Sequence, residues 1–309
     1  MLTDADRIVK DALETRCEVF TQLTKDTTQL LCAENGNVGN LSINGRLVRI
    51  KPSGQALIVG DLHGDLESLI DILKGSRYLQ KLDSSRDACL IFLGDYGDRG
   101  VFSAEVYYVV MKLKFLFPRQ IVMMRGNHEG PPDLMARPHD LPLQFQRRFG
   151  KNWRSAYAAV IRMFGCLYTA VLVEGRCLLV HGGLPQQLDS IEDLAYAHSL
   201  YPTRDFLEDM LWSDPDETIE EADMSPRGAG KLFGRKVTER ILGKLGAGVL
   251  IRGHEPCQEG FKINHNGKVL TVFSRKGPPY FNAYGAYLDM DLSDKLEDAS
   301  QLISRIHKF

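Results

Sequence analysis

Ala56-Leu-Ile-Val-Gly-Asp-Leu-His-Gly-Asp65 is the stretch that decides the fold of this chain. It starts as an unbroken apolar run and ends in polar residues set between glycines, the pattern of a buried strand that leads into a loop. The same pattern returns twice further along. The repeats are Cys89–Gly100 and Gln120–Glu129, and helical patterns lie between the three at Leu66–Lys74 and Phe102–Phe117. Apolar strands that alternate with helices indicate βαβ order and strands that are covered on both faces.

The polar ends of these strands carry side chains that bind metals. They are Asp61 and His63, then Asp95 and Asp98, then Asn127 and His128, with His181 and His254 after two later apolar runs. In sheets of this kind, ligands gather at the carboxyl ends of the strands. Aspartate, histidine and asparagine without a thiolate suit Mn, Fe or Zn, and a shared carboxylate can hold two ions about 3.5–4 Å apart. One histidine after a strand is usually structural, but five such strand ends together favour a metal centre.

Composition excludes several classes of protein. The 309 residues carry a net charge of −2, so the chain has no bulk attraction for nucleic acid or for anionic lipid. No apolar run reaches the roughly 18 residues that span a membrane, and the charged N-terminus is unlike a signal peptide. The six cysteines form no CxxC pair, and three lie in apolar runs. We therefore expect a cytoplasmic protein with reduced cysteines that act as small hydrophobes, and neither a nucleic-acid nor a membrane partner.

Outside the strand–helix alternation, the pattern is simpler. Residues Thr3 to Leu31 have helical spacing, 34–40 have turn chemistry, and a last, weak helix is predicted at Asp291–Ile306. Asn266-Gly267 between two strand-like runs is a strong hairpin signal. The remaining predictions are strands at Leu47–Ile50, Leu167–Val173, Arg176–Val180, Gly248–Ile251 and Tyr284–Met290, and a helical stretch at Leu141–Phe164.

The three strand-end motifs, in this order and spacing, resemble the signatures of the phosphoprotein phosphatase (PPP) family of serine/threonine phosphatases, which includes protein phosphatases 1 and 2A and calcineurin. The resemblance runs from about Ile58 to Asp289. Its further motifs are His181-Gly-Gly183, Leu211-Trp-Ser-Asp-Pro215, Pro226-Arg-Gly228, Arg252-Gly-His254 and Thr271-Val-Phe-Ser274. The Gly126–Leu134 stretch is most similar to the archaeal or prokaryotic branch of the family.

The resemblance implies an α/β chain with the calcineurin-like metallophosphoesterase fold, a β-sandwich of mixed sheets flanked by helices. It implies one catalytic domain over residues 1–309, with a core at about 46–292 and a mainly helical lead-in at 1–45. A single domain also agrees with the implied ligands, which run from Asp61 to His254 and so draw one site from most of the chain.

By resemblance, Asp61, His63 and Asp95 hold a first divalent metal. Asp95 bridges to a second metal, which is held by Asn127, His181 and His254. Bridging needs a carboxylate, and neutral imidazole suits the terminal positions. Two manganese ions are expected in vitro, and the ligand set also accepts Fe or Zn.

The implied reaction is hydrolysis of phosphoserine and phosphothreonine in proteins by in-line attack of a metal-bridging hydroxide. His128, oriented by Asp98, is the general acid for the leaving alkoxide. Arg99, Arg227, Asn127 and a tyrosine, either Tyr280 or Tyr284, bind the phosphate.

Some roles stay open at this point. Instead of binding phosphate, Arg99 could form an ion pair with Asp95 or Asp98. The alternative for Arg227 is an ordinary surface loop residue. Arg275 and Lys276 are either a further phosphate contact or a solvated turn.

The expected partners are phosphoprotein substrates and a regulatory subunit. A small-molecule phosphoesterase, such as a diadenosine tetraphosphatase, shares the first and third motifs and is the alternative within the fold. The motifs around Asp98-Arg99-Gly100 and Trp212–Pro215 favour the protein phosphatase. A scaffold without activity should have lost ligands, and none of the ligand positions has been lost here.

Overall fold

The computed structural model describes residues 4–309. The predicted start of the lead-in helix, Thr3, lies outside these residues. The strands are β1 Gly36–Val38, β2 Leu41–Asn44, β3 Leu47–Ile50, β4 Gln55–Val59, β5 Ala88–Phe92, β6 Ile121–Met123, β7 Ala170–Val173, β8 Cys177–Val180, β9 Asp214–Pro215, β10 Ala222–Met224, β11 Lys231–Phe233, β12 Val249–Arg252, β13 Phe261–Asn264, β14 Val269–Val272, β15 Ala286–Asp291 and β16 Ile306–Lys308.

Helices fill the connections between the strands. They are α1 Ala5–Glu14, α2 Cys17–Ala33, α3 Leu66–Ser76, α4 Tyr78–Ser84, α5 Ser103–Leu116, α6 Leu141–Phe149, α7 Trp153–Phe164, α8 Ile191–Ala195, α9 Ala197–Leu200, α10 Phe206–Trp212 and α11 Arg235–Leu245. Short 3-10 turns lie at Asn127–Glu129, Gly150–Asn152 and Ala299–Arg305. The predicted helical stretch Leu141–Phe164 is therefore two helices, interrupted at Gly150, which has a positive φ of 55°.

The first sheet is the one that the opening motifs predict. Its strand order is β16-β15-β4-β5-β6, with β4, β5 and β6 parallel and β15 antiparallel to β4. The register sets Ile58 beside Ile91 and Ile91 beside Val122, all fully buried. Because the three parallel strands end at one edge, the loops that follow them meet there.

The second sheet is mixed and has the order β1-β2-β3-β7-β8-β12-β14-β13. Strands β8, β12 and β14 are parallel, so the loops after β8 and β12 also share an edge. The two sheets meet closely: a Cβ on Gly60 would lie 2.1 Å from the Val272 carbonyl oxygen, so only glycine fits there. The α/β architecture of mixed sheets flanked by helices confirms the predicted fold class, and the Asn266-Gly267 hairpin is confirmed as β13–β14.

One prediction, at the C-terminus, is wrong, and another, at residues 34–40, is incomplete. The C-terminal stretch predicted as a helix from Asp291 to Ile306 is a 3-10 turn followed by β16, because this segment adds an edge strand to β15. The stretch 34–40 is not only a turn, since Gly36–Val38 pairs with β2. No helix of residues 4–309 is long and apolar enough to cross a membrane.

The cysteines also differ from expectation. Cys32, at the end of α2, is disulfide-bonded to Cys166, which follows α7, so these two are not reduced small hydrophobes as predicted. The other four are free and buried, as expected for structural cysteines: Cys17, Cys89, Cys177 and Cys257.

The lead-in is joined to the core by a buried ion pair. Lys114 of α5 is fully buried and donates to the Glu34 carboxylate at 2.7 Å and to the carbonyls of Pro118 and Ile121 at 2.8 and 3.0 Å. The Tyr168 hydroxyl donates to the other oxygen of Glu34. Every proton of the ammonium group therefore has an acceptor.

Replacing Lys114 with methionine is expected to lower the free energy of unfolding by about 3–5 kcal/mol, because it leaves a buried carboxylate without its cation. Urea unfolding of Lys114→Met, measured against the parent chain, tests this. Adding Glu34→Gln should recover part of the loss. Lys10→Met removes a lysine from an exposed pair, Lys10–Glu14 at 4.0 Å, and should change little. Equal losses in the buried and exposed variants would contradict the expectation.

Candidate metal centre and active site

The strand-end side chains of both sheets converge. A backbone hydrogen bond from His254 to Asp61 Oδ1, 2.9 Å, joins the loop after β12 to the loop after β4. His181 Nδ1, after β8, donates to the Leu93 carbonyl at 3.0 Å, just beyond β5. All the predicted ligands are buried, with exposures of 6% or less: Asp61, His63, Asp95, Asn127, His181 and His254.

One group of ligand atoms surrounds His63. Its Nε2 lies 3.6 Å from Asp61 Oδ2 and 3.5 Å from Asp95 Oδ2. His128 faces the same space, with its ring centroid 4.8 Å from that of His63. His63, Asp95 and His128 form one set of donor atoms that lie close enough to share an ion.

A second group uses the other oxygen of Asp95. His181 Nε2 lies 3.5 Å from Asp95 Oδ1 and 3.2 Å from Asn127 Oδ1. The His181 and His254 rings are 5.1 Å apart, and these two histidines with Asp95 form the second set of donor atoms. Asp95 is thus shared, with one oxygen directed to each group.

These donors fit divalent metal ions. Ligand atoms that each lie about 2.0–2.2 Å from one ion are separated by about 3.0–3.6 Å, which is the separation found here. Two buried atoms at the site, Asp61 Oδ2 and His254 Nε2, have no hydrogen-bond partner in the described part of the chain. A buried carboxylate oxygen without a partner is costly, and an ion would satisfy it.

The histidines are held with Nε2 directed at the site. His63 Nδ1 donates to the Gly97 carbonyl at 3.1 Å, as His181 Nδ1 does to that of Leu93. A backbone acceptor of this kind fixes the ring and its tautomer, so that Nε2 is free to bind a metal.

The loops that carry the ligands have unusual backbone conformations. Among the described residues, nine that are not glycine have a positive φ, and five of them lie at this site: His63, Asp95, Asp98, Arg99 and His254. Such conformations cost about 1–3 kcal/mol each and cluster at functional sites. The packed sheets hold the side chains in positions that an isolated loop would not favour.

Glu129 is a site residue that sequence reasoning missed. It is fully buried, and its carboxylate accepts from the backbone amides of Asp95 at 2.8 Å and Tyr96 at 3.0 Å and from the Tyr107 hydroxyl at 2.6 Å. It therefore fixes the turn that presents Asp95. The available signal was that Glu129 directly follows Asn127 and His128 in one motif. It was missed because this carboxylate supports the site and is not a metal ligand.

The charges at the centre shift the pKa of several groups. Burial raises the pKa of Asp61 to about 7, with Asp95 adding to the effect. Burial lowers the pKa of His63 to about 3. For His181, burial acts in the opposite direction to Asp95 and Asp61, which prevail and raise the pKa to about 9. Bound cations would offset the charge of the buried carboxylates and so reduce these opposing effects on the pKa values.

His128 and Asp98 form a hydrogen-bonded pair beside the metal ligands. His128 Nδ1 donates to Asp98 Oδ2 at 2.6 Å, and both are buried. Burial lowers the pKa of His128, but the carboxylates of Asp95 and Asp98 outweigh it and raise that pKa above its usual value. Burial acts against ionisation of Asp98 too, yet its bonds to histidine hold its pKa well below the usual range.

A cavity of about 890 Å³ opens over this centre. Arg99, Arg227 and Tyr280 line it, together with His128 and Asn127. No carboxylate of the described residues lies within ion-pair distance of Arg99, whose guanidinium donates to the Arg137 carbonyl at 3.2 Å, so the predicted alternative of an ion pair with Asp95 or Asp98 is wrong.

Arg227 is held in place by Asp214, a residue of the Leu211–Pro215 motif for which no role was predicted. Its Nε donates to Asp214 Oδ2 at 2.5 Å, while Asp214 Oδ1 accepts from Arg252 at 2.9 Å. The Arg227 side chain remains 35% exposed and lines the cavity.

The two candidate tyrosines differ in position. Tyr280 lies in the cavity wall, with its ring centroid 5.4 Å from that of His63. Tyr284 is 42% exposed and lies under Lys308 instead. Arg275 is a buried support, since its guanidinium donates to the His63 carbonyl at 2.9 Å, whereas Lys276 pairs with Asp71 at the surface. Arg275 is therefore not part of a solvated turn.

The chain is similar to known proteins. Residues 55–258 match the model of the calcineurin-like phosphoesterase family. A protein of Encephalitozoon cuniculi, named "Probable serine/threonine-protein phosphatase", is 31% identical over 259 residues, which are 83% of this chain and 54% of that protein. The chain thus spans about half the length of that relative.

A second relative matches over more of its length. The serine/threonine-protein phosphatase PP1-1 of Saccharomyces cerevisiae is 33% identical over 254 residues, which cover 81% of this chain and 78% of that protein. A protein serine/threonine phosphatase structure from the same yeast, with similarity to human phosphatase PP5, shares the fold with a TM-score of 0.76, 23% identity and coverage of 96% and 90%.

The comparisons define the class as calcineurin-like phosphoesterases. Within that class, the chain belongs to the PPP family of serine/threonine phosphatases, as the motifs predicted. The relatives named above are eukaryotic and give no support to the predicted affiliation with the archaeal or prokaryotic branch.

Proposed function

We propose that this protein hydrolyses phosphoserine and phosphothreonine in proteins by in-line displacement at a centre of two divalent metal ions. The observation that carries the proposal is the pair of buried donor groups that share Asp95, one on each of its oxygens. When bound, the ions supply a water-derived nucleophile at neutral pH and neutralise charge on the phosphate.

Asp61, His63 and Asp95 would hold one ion, and Asp95, Asn127, His181 and His254 the other. The donor set accepts Mn, Fe or Zn, and manganese is our choice for assays. The pairing of His128 with Asp98 supports a charged imidazolium, which cannot bind a metal but can donate a proton. We therefore assign His128 as the general acid rather than as a further ligand.

The phosphate would lie in the cavity above the ions. Arg99 has no competing carboxylate among residues 4–309, and Arg227 is oriented by Asp214, so each can direct its guanidinium donors at phosphate oxygens. Tyr280 is placed to contact the same group, and Asn127 lines the cavity beside it. The metal ions and the two guanidinium groups would attract the phosphate locally, which fits a chain with a net charge near zero.

The organisation of the chain as a single domain over residues 1–309 is part of this proposal, as are phosphoprotein substrates and a regulatory subunit. A cytoplasmic location stays a prediction. The Cys32–Cys166 bond weakens the cysteine argument for it.

Phosphate release from a phosphoserine peptide in Mn²⁺ is expected to be faster than cleavage of a dinucleoside polyphosphate, which is followed through its two nucleotide products, at matched concentration. The measurement is initial rate against substrate concentration for both substrates, with EDTA-treated protein as the control. Faster turnover of the dinucleoside polyphosphate would instead indicate a small-molecule phosphoesterase. Bound metal with no turnover of any phosphoester would indicate a binding protein.

A further inference from the structure

Asp98 contacts a second histidine in addition to His128. His139 Nδ1 donates to Asp98 Oδ2 at 2.9 Å, the same oxygen that accepts from His128 Nδ1 at 2.6 Å. The other oxygen, Oδ1, accepts from the backbone amides of Asp140 at 2.9 Å and Leu141 at 2.7 Å. A carboxylate has about four acceptor sites, and here four donors occupy them.

His139 is itself held from the other side. With Nδ1–H donated to the carboxylate, Nε2 accepts from the Tyr157 hydroxyl at 3.0 Å. Tyr157 belongs to α7, where its ring packs 6.3 Å from that of Phe145 and 5.9 Å from that of Trp153. The chain of contacts from α7 to Asp98 is therefore anchored in a packed aromatic cluster.

The segment that carries His139 also supports the phosphate side of the site. Asp140 accepts the backbone amide of Arg99 at 3.2 Å, and the Arg137 carbonyl accepts its guanidinium. Residues 137–141 thus contact both members of the Asp98-Arg99 pair. This segment belongs to none of the sequence motifs, because it precedes a helix and follows none of the predicted strands directly.

We propose that His139 is a positioning residue for the general acid. Its bond, together with the two backbone amides, fixes the Asp98 carboxylate in the orientation that aims His128 at the leaving group. Without it, one acceptor site of a buried carboxylate is left unpaired at the very oxygen that holds His128. The inference rests on the proposed function and adds a residue to it.

The test compares leaving groups. The leaving group of a phosphoserine peptide is the serine alkoxide, which needs a proton from the general acid. p-Nitrophenyl phosphate releases a stable phenolate, which needs little protonation. His139→Leu is expected to lower kcat for the peptide by about 10-fold, to change kcat for p-nitrophenyl phosphate by less than about 2-fold, and to leave KM for both nearly unchanged. His139→Asn keeps an N–H where Nδ1 stood and should recover most of the peptide activity.

Two further variants make the result interpretable. His307→Leu, at the surface strand β16, should match the parent on both substrates. Should His139→Leu fail to fold, Tyr157→Phe leaves both histidines in place and should give about a 3-fold loss confined to the peptide.

Equal losses on both substrates, or no loss on either, would overturn the positioning role. The parent chain is assayed first on the peptide: no phosphate release from it would refute the proposed function itself, a result distinct from failure of the His139 inference.

Discussion

Asp95→Asn is expected to lower kcat on a phosphoserine peptide by at least about 1,000-fold and to reduce the bound metal to one ion or less per chain. Asp95 Oδ2 lies 3.5 Å from His63 Nε2 and Oδ1 lies 3.5 Å from His181 Nε2, so each oxygen serves one donor group. Asparagine offers one oxygen and no charge, so one group loses its oxygen ligand at this position and the other keeps only a neutral one.

The substitution is small enough to keep the local structure. Asp95 Oδ1 accepts the backbone amide of His128 at 3.0 Å, and an asparagine oxygen accepts it equally well. The readouts are phosphate release and elemental analysis of the purified protein. Asp289→Asn, on β15 outside the site, is the matched control and should keep both activity and metal. Full activity and full metal content in Asp95→Asn would contradict the bridging role.

His128→Asn is expected to lower kcat on the phosphoserine peptide by about 100- to 1,000-fold while the metal content stays at the parent value. The asparagine amide can still donate to Asp98, so the loss reports the missing acid and not a broken support. Elemental analysis decides between the two roles that the geometry allows, because a ligand role for His128 requires that the variant lose metal.

The same residue sets a pH dependence. Because Asp95 and Asp98 raise the pKa of His128 despite its burial, the acid form persists above the usual range of about 6.5. Protonated His128 stabilises the folded protein fully below the pKa of the unfolded chain, about 6.5, and this stabilisation is lost as the pH rises through the higher pKa of the folded protein. The same deprotonation removes the general acid, so the parent should lose peptide activity on the alkaline side. His128→Asn should lack this alkaline limb of the pH–rate profile. An unchanged alkaline limb in the variant would assign it to another group.

Much of the centre was predictable from short motifs. The strands β4, β5 and β6 begin and end within a residue of the apolar runs Ala56–Val59, Cys89–Leu93 and Gln120–Met124. An unbroken apolar run bounded by polar residues and glycine has few other stable arrangements. Parallel strands end at a common edge, so the ligands after them had to lie near one another. The sequence of residues 56–65 therefore already implied where the site would be.

Other features depended on contacts between distant parts of the chain. The predicted C-terminal helix is instead a 3-10 turn that leads into an edge strand, because β15 offered an unpaired edge to Ile306–Lys308. Cys32 and Cys166 are separated by 134 residues, and nothing in their local sequences links them. A pattern read within one segment carries no information on such neighbours.

What the sequence determined by itself was the set of strand ends and the metal-binding residue types on them. The tertiary structure decided which atoms meet: that each oxygen of Asp95 faces a different histidine, that Glu129 fixes the Asp95 turn, and that Tyr280 rather than Tyr284 faces the cavity. The physical reason is range. Periodicity and turn chemistry act over a few residues, whereas a metal centre is assembled from loops almost two hundred residues apart that only the packed sheets bring together.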